Sequence, residues 1–314
     1  MHTQLLNSAL EDLLGPADTR YFGGGYRHVD YELRQASLDG VDAETLAATG
    51  TVRYGAQWSL VNGTTRTPHL SSIDAVVLPI LAFERAAARS RIDLSRSWIR
   101  EVTLHAGNQP WLDLADVPIA VGLEHYESEY RLSSVSGNIR SNLVVATPES
   151  EPLLGQESLG GVESVYGQGF QIGSSETQVL VLDQDALRID ARHRFGTDVS
   201  RLRAFRGVES AYVPAVTAID YIALLGQMAQ AVGYVAAHTK RVHANNLWMR
   251  RLNGHIGSPS MKVPAEAIST TRVVKHDELN RGGHCIHSLQ VESSLSNGVS
   301  ASAVLAFSTQ GEER

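Results

Sequence analysis

The sequence predicts an α+β fold built twice from one unit, each copy a long helix followed by antiparallel strands. Three observations carry that reading: an apolar stretch too long for a strand, a helix-start pattern present in each half, and two further echoes downstream in the same order. The apolar stretch is Val213 to Tyr234, VPAVTAIDYIALLGQMAQAVGY. Its Gly and Gln fall at intervals that suit a helix, so it predicts a buried central helix with a few polar positions.

The repeat ties the halves together. Ile73-Asp74 matches Ile219-Asp220 at an offset of 146, and each Asp lies six residues after a proline, Pro68 or Pro214. Trp98-Ile99-Arg100 is echoed by Trp248-Met249-Arg250 at 150, and SGNIRSNLVVA (Ser136 to Ala146) by SNGVSASAVLA (Ser296 to Ala306) at 160. Growing offsets with unchanged order mean loop insertions in a duplicated unit. The expected organisation is a first repeat over 1–148, a Gly/Ser-rich connection over 149–177 and a second repeat over 178–314.

In chain order, MHTQLLNSALEDLLG reads as a short amphipathic helix rather than an export signal. Arg20-Tyr21-Phe22-Gly23-Gly24-Gly25-Tyr26-Arg27 follows. Its glycines let the backbone approach a ligand and its arginines could hold an anion, but a tight turn between aromatic anchors explains it equally well. Alternation over Thr51 to Leu60 predicts a strand, and Thr67 to Ser72 carries the start signals of a helix over about Ser71 to Ser90. Strands are expected at Trp98 to His105, at Ile119 to Tyr126 and from near Gly137.

Composition sets limits. The 314 residues, 43% hydrophobic, suffice for a sizeable core, and a net charge of −7 argues against a general nucleic-acid binder. A single Cys285 excludes a disulfide framework and Cys-based metal sites and favours a reducing cytoplasm. No stretch reads as membrane-spanning. Between Asp220 and Glu266 there is no acid, while Lys240, Arg241, Arg250, Arg251 and Lys262 all occur. This predicts a positive surface for an acidic carrier or a phosphate, or else a solvated basic helix end. His284 and His287 should face opposite sides of a strand, and His238 and His243 lack helical ligand spacing, so no metal is expected. Asp74 and Asp220 sit in first helical turns, where the helix dipole alone favours an acid.

The segment ALLGQMAQAVG (Ala223 to Gly233) resembles the central helix of hot-dog proteins, above all the carrier-protein dehydratases, with Gly226 where those keep a catalytic glutamate. The resemblance implies a duplicated (double) hot-dog fold, each half a central helix wrapped by a curved antiparallel sheet. By that analogy the catalytic candidates are His69, Asp74, Glu84 and Asp220, with Gln227 and Gln230 as a polar wall.

Together with RYFGGGYR, QMAQAVGY and Asn246 to Arg251 (NLWMRR), the chain is similar to the avirulence protein D (AvrD) family over most of its length, and more distantly to the A-factor biosynthesis proteins. What this implies is transfer of a β-ketoacyl group from a thioester to a hydroxyl of a ketose such as xylulose, then ring closure to a syringolide-type lactone. The donor would be an acyl carrier protein or acyl-CoA, its phosphopantetheine arm serving as substrate, with no separate cofactor. Tyr21, Gly24, Trp248 and Arg250 become substrate contacts, Lys240, Arg241 and Arg251 the docking side, and a homodimer is possible. A hot-dog thioesterase or dehydratase, or a non-catalytic acyl-binding protein, are the alternatives.

Overall fold

Two helices, each started by a reciprocal cap, hold the core. In the computed structural model, which describes residues 3–4, 10–37, 45–56, 58–61, 63–148, 163–259 and 261–310, helix α1 spans Asp74–Arg89 and helix α2 spans Ala218–Ala236. At α1 the Asp74 N–H donates to Ser71 Oγ at 3.2 Å while the Ser71 N–H donates to Asp74 Oδ2 at 2.6 Å. Thr217 and Asp220 form the same box at α2, as the matching Ile-Asp pairs predict. All of α1 from Asp74 to Ile80 is buried, and α2 leaves only Gly226, Gln230 and Val235 outside its buried set.

Each half contributes six antiparallel strands to one sheet. In the first half these are β1 (Val29–Ser37), β2 (Thr45–Tyr54), β3 (Trp98–His105), β4 (Val117–Tyr126), β5 (Glu129–Ser136) and β6 (Ile139–Ala146). In the second they are β7 (Gly173–Asp183), β8 (Arg188–Thr197), β9 (Trp248–His255), β10 (Ala265–Arg281), β11 (His284–Leu295) and β12 (Ser300–Gln310). From its outer edge inward the first half runs β1-β2-β4-β5-β6-β3, and the second, inside the edge pair Thr3–Gln4, runs β7-β8-β10-β11-β12-β9. The order is the same with every label raised by six. Even the bulges correspond, between Ile99 and Glu101 in β3 and between Met249 and Arg251 in β9.

β3 and β9 pair antiparallel, Leu104 opposite Leu252 and Val102 opposite Gly254, so the halves share one sheet and neither exposes its inner edge. This is the α+β, helix-on-antiparallel-sheet arrangement of a hot-dog fold. No helix among the described residues is long and apolar enough to cross a membrane.

Three local expectations are corrected. Of the N-terminal stretch only Glu11–Leu14 is helical and Thr3–Gln4 pairs with β7, the rest lying outside the described residues apart from Leu10 and Gly15. The strand expected over Thr51 to Leu60 ends at Tyr54, because the chain turns at Gly55, whose carbonyl accepts the Trp58 N–H at 3.1 Å. The connection over 149–177 is structured from 163 onward: Val165, Tyr166, Phe170 and Ile172 are buried and β7 begins at Gly173. There the turn Gly169–Ile172 copies Gly25–His28 of the first half, and Phe170 stacks on Tyr26 at 6.2 Å. Strand β5 escaped the sequence reading since its inward residues include Ser134 and Ser136, whose polarity hides the alternation. Ser134 is accommodated by a hydroxyl bond to Ser141 of β6.

Candidate active site

A cavity of about 170 Å³ lies between α2 and the inner face of the sheet. Ile222, Leu225 and Ala229 of α2 form one apolar wall, and Met249, Leu252 and Leu305 the other. Val102 and Gly254, opposite each other across the seam, both line it, so the space reaches the junction of the halves. Gln230 and Gly226, two of the three α2 residues outside the buried set, face this space.

Polar groups enter from the loop before α1. His69, Ser71 and Ser72 line the cavity together with Tyr21. The Tyr21 and Ser71 hydroxyls are 2.6 Å apart. His69 Nδ1 lies 3.2 Å from the Thr67 carbonyl, a contact that in the neutral ring puts the proton on Nδ1 and the lone pair on Nε2. The imidazole is stacked on Trp248 at 6.0 Å and edge-on to Trp58 at 5.6 Å. Two indoles thus hold one ring.

The two aspartates expected as catalytic candidates do not line the cavity. Asp74, fully buried, accepts from Tyr31 Oη at 2.7 Å, from Tyr54 Oη and from the Ser71 N–H. Burial pushes its carboxyl up, and these donors oppose the shift. Asp220 pairs with Arg27 Nη2 at 2.7 Å and accepts from Tyr26 Oη at 3.3 Å. Both carboxylates order helix starts and loops; Asp74 also fixes Ser71 next to Tyr21.

Glu84 stands apart as well. Its Oε1 accepts the Val208 N–H at 2.9 Å, and burial pushes the carboxyl up to about 7. Gln227 is turned away from the cavity and accepts from Arg20 Nη1 at 2.8 Å. Trp248 lines the cavity; Arg250 does not, its Nη2 donating to Asn108 Oδ1 at 2.9 Å. Gly24 is not in the wall either. Its neighbours explain the triplet: a Cβ on Gly23 would meet the Ala17 carbonyl oxygen at 2.2 Å, and one on Gly25 the Trp58 carbonyl oxygen at 2.1 Å. The tight-turn reading of RYFGGGYR therefore holds at Gly23 and Gly25, while Tyr21 and Phe22 reach the cavity.

Gly226 has a comparable reason. A Cβ there would sit 3.0 Å from the Phe22 ring, so the absent side chain makes room for an aromatic lid from the N-terminal loop. Lys240 and Arg251 are exposed, as a docking surface requires, but Arg241 is 8% exposed and lines the cavity instead. Arg20 and Arg66 line it too and were not candidates from sequence. Arg20 flanks the glycine turn, where an arginine could hold an anion; Arg66 carries no such signal in sequence, being a lone basic residue after a hairpin.

Away from the cavity, β10 and β11 bring together His276, Glu278 and His287, whose ligating atoms lie within 4.8 Å of one another. His276 Nε2 and His287 Nδ1 are 3.1 Å apart in a hydrogen bond. The spacing of His284 and His287 along one strand carries no sign of this trio, which forms across two strands.

Among solved structures, the chain is similar to a conserved hot-dog protein of unknown function from Alicyclobacillus acidocaldarius (8% identity, TM-score 0.42, 88% of this chain and 96% of that one). It is also similar to a tesB protein of Mycobacterium avium subsp. paratuberculosis (10%, 0.44, 89% and 96%). A third likeness is to the dehydratase domain of PpsC from Mycobacterium tuberculosis, solved with C12:1-CoA (13%, 0.34, 88% and 98%). No curated protein matches. The family model described as Pseudomonas avirulence D protein (AvrD) matches residues 5–308. Since that match runs through both helices and into the last strand of the sheet, the chain belongs to the AvrD family.

Proposed function

We propose that this protein, a duplicated hot-dog with repeats on either side of the β3–β9 seam, is an acyltransferase. It would join a β-ketoacyl group from a carrier-protein or CoA thioester to a hydroxyl of a ketose such as xylulose, the first step toward a syringolide-like lactone. The observation that carries the reading is one cavity with apolar walls from α2, β9 and β12 and, in the same lining, an imidazole with its lone pair on Nε2. An acyl chain needs the first and an acceptor hydroxyl the second.

In this mechanism His69 Nε2 takes the proton from the ketose hydroxyl as its oxygen attacks the thioester carbonyl. Ser71, Ser72 and Tyr21 offer hydroxyl donors to the oxyanion of the tetrahedral intermediate, aided by the positive end of α1. Collapse breaks the C–S bond, and the imidazolium returns its proton to the leaving thiolate. Gln230 and Trp248 hold the remaining hydroxyls, while Lys240 and Arg251 meet an acidic carrier. The pantetheine arm is part of the substrate, and the reaction as written uses no further cofactor.

The test is incubation with a β-ketoacyl thioester, with and without xylulose, followed by mass spectrometry. An acyl-sugar adduct formed only with sugar is the expected result. Free acid released regardless of sugar would make the protein a thioesterase, and unchanged substrates in every tube would make it a non-catalytic acyl binder.

A further inference from the structure

Three guanidinium groups line the cavity, and among the described residues none is paired with a carboxylate. Arg20 is 3% exposed, Arg241 8%, and Arg66 half-buried. Their bonds run to neutral oxygens. Arg20 donates to Gln227 Oε1 at 2.8 Å and to the Pro16 carbonyl at 3.3 Å. Arg66 donates to Asn246 Oδ1 and, at 3.3 Å, to the Ala244 carbonyl. Arg241 donates to the Thr19 carbonyl at 3.0 Å and to Ser59 Oγ at 3.4 Å. A guanidinium has five N–H donors, so each keeps donors in reserve.

Among the described residues no acid forms an ion pair with any of the three. Glu11 and Asp18 act on Arg20 only as nearby charges. Burial lowers the pKa of all three, Arg241 further lowers that of Arg20, and Arg66 that of Arg241, so the three charges sense one another. Enclosing like charges without a counter-ion is costly. An anion held by several guanidinium forks offsets that cost, and phosphate matches their geometry.

We propose that Arg20, Arg66 and Arg241 form a phosphate site within the cavity, and that its occupant is a phosphate monoester on the far end of the acceptor sugar. The anion site follows from the arginines alone; the choice of acceptor rests on the acyl-transfer reading. Placement favours the acceptor. Arg66 lies three residues before His69, a backbone span of at most about 11 Å. The Trp58 indole joins the two, donating to the Arg66 carbonyl at 2.9 Å while its ring meets His69 at 5.6 Å. A five-carbon chain with a terminal phosphate suits such a gap.

The experiment begins with inorganic phosphate, which needs no turnover. Thermal melts of wild type, Arg66→Gln and Arg241→Gln are titrated with phosphate against chloride at matched ionic strength. Phosphate should raise the wild-type Tm, and each variant should weaken the apparent affinity by about tenfold or more, the loss of one charge-assisted contact. Without phosphate the Arg66→Gln melt should be no lower than wild type, because one of three like charges is gone. Phosphate acting no better than chloride, or an Arg66→Gln response equal to wild type, overturns the site.

Turnover then distinguishes the carriers. With an acyl N-acetylcysteamine donor, which has no phosphate, a pentulose 5-phosphate should have a lower KM than the free pentulose, and Arg66→Gln should erase the difference. If the phosphate preference follows the pantetheine donor instead, the acceptor assignment is overturned. Phosphate binding through these arginines without transfer from any donor supports the site and counts against the acyl-transfer reading.

Discussion

Glu84→Gln should make the protein more stable at alkaline pH and leave it little changed near pH 4.5. Glu84 is held against the Val208 N–H with its carboxyl raised by burial from 4.5 to about 7. A carboxyl that binds its proton more tightly when folded contributes stability below its unfolded pKa, and that contribution is lost as pH rises through the folded value. At 1.36 kcal/mol per pH unit, the wild-type loss between pH 4.5 and 7 is about 3 kcal/mol. Glutamine keeps an oxygen for the Val208 N–H without the charge. The second half already carries Gln230 at the equivalent position, the offset being the 146 that relates Asp74 to Asp220. Urea unfolding of both proteins at pH 5, 6, 7 and 8 is the assay, and the difference between them cancels every other titrating group. A gap that grows from about 1 kcal/mol at pH 5 to about 3 kcal/mol at pH 8 is expected. A gap that stays constant with pH would refute the assignment of an uncharged Glu84 to the folded state.

Other outcomes follow from the same contacts. His69→Asn keeps a donor for the Thr67 carbonyl but no base, so transfer should fall about 100-fold or more with an unchanged melting curve; activity near wild type removes His69 from the chemistry. Asp220→Asn breaks the buried pair with Arg27 and half of the α2 cap, and should destabilise by about 3–5 kcal/mol in denaturant titration. Gly226→Leu drives a side chain into the Phe22 ring and narrows the cavity. It should cost about 1–3 kcal/mol and shift donor preference in product analysis toward shorter acyl chains; an unaltered chain-length profile would place the acyl group elsewhere.

The two buried helices were readable in the chain because a buried helix and its cap impose local rules on residue type. An unbroken apolar run must be enclosed, and the Ser71-Asp74 and Thr217-Asp220 boxes need a hydroxyl and an acid three residues apart, wherever the rest of the chain goes. Strands β3 and β9, with their matching Trp and Arg, followed from the same repetition. Locally paired residues announce themselves; β5 did not, because serine hydroxyls bonded across the sheet look like solvent-facing residues until the partner strand is in place.

The function of a side chain was a tertiary matter. Asp74, Asp220 and Glu84 look like catalytic acids in a list of residues, but each is fastened by donors from 20 to 194 positions away and lies outside the cavity wall. Arg241 reads as surface charge, yet the turn after α2 folds it inward to meet Thr19 and Ser59. The sequence by itself determined the two enclosed helices, the start of the first and the motifs that recur in the second half in the same order, since those depend on neighbours three or four residues off or on alternation along one strand. Only the folded chain decided which polar groups share the cavity. That choice depends on loops from both halves converging at one seam, and a one-dimensional pattern carries no record of distances across it.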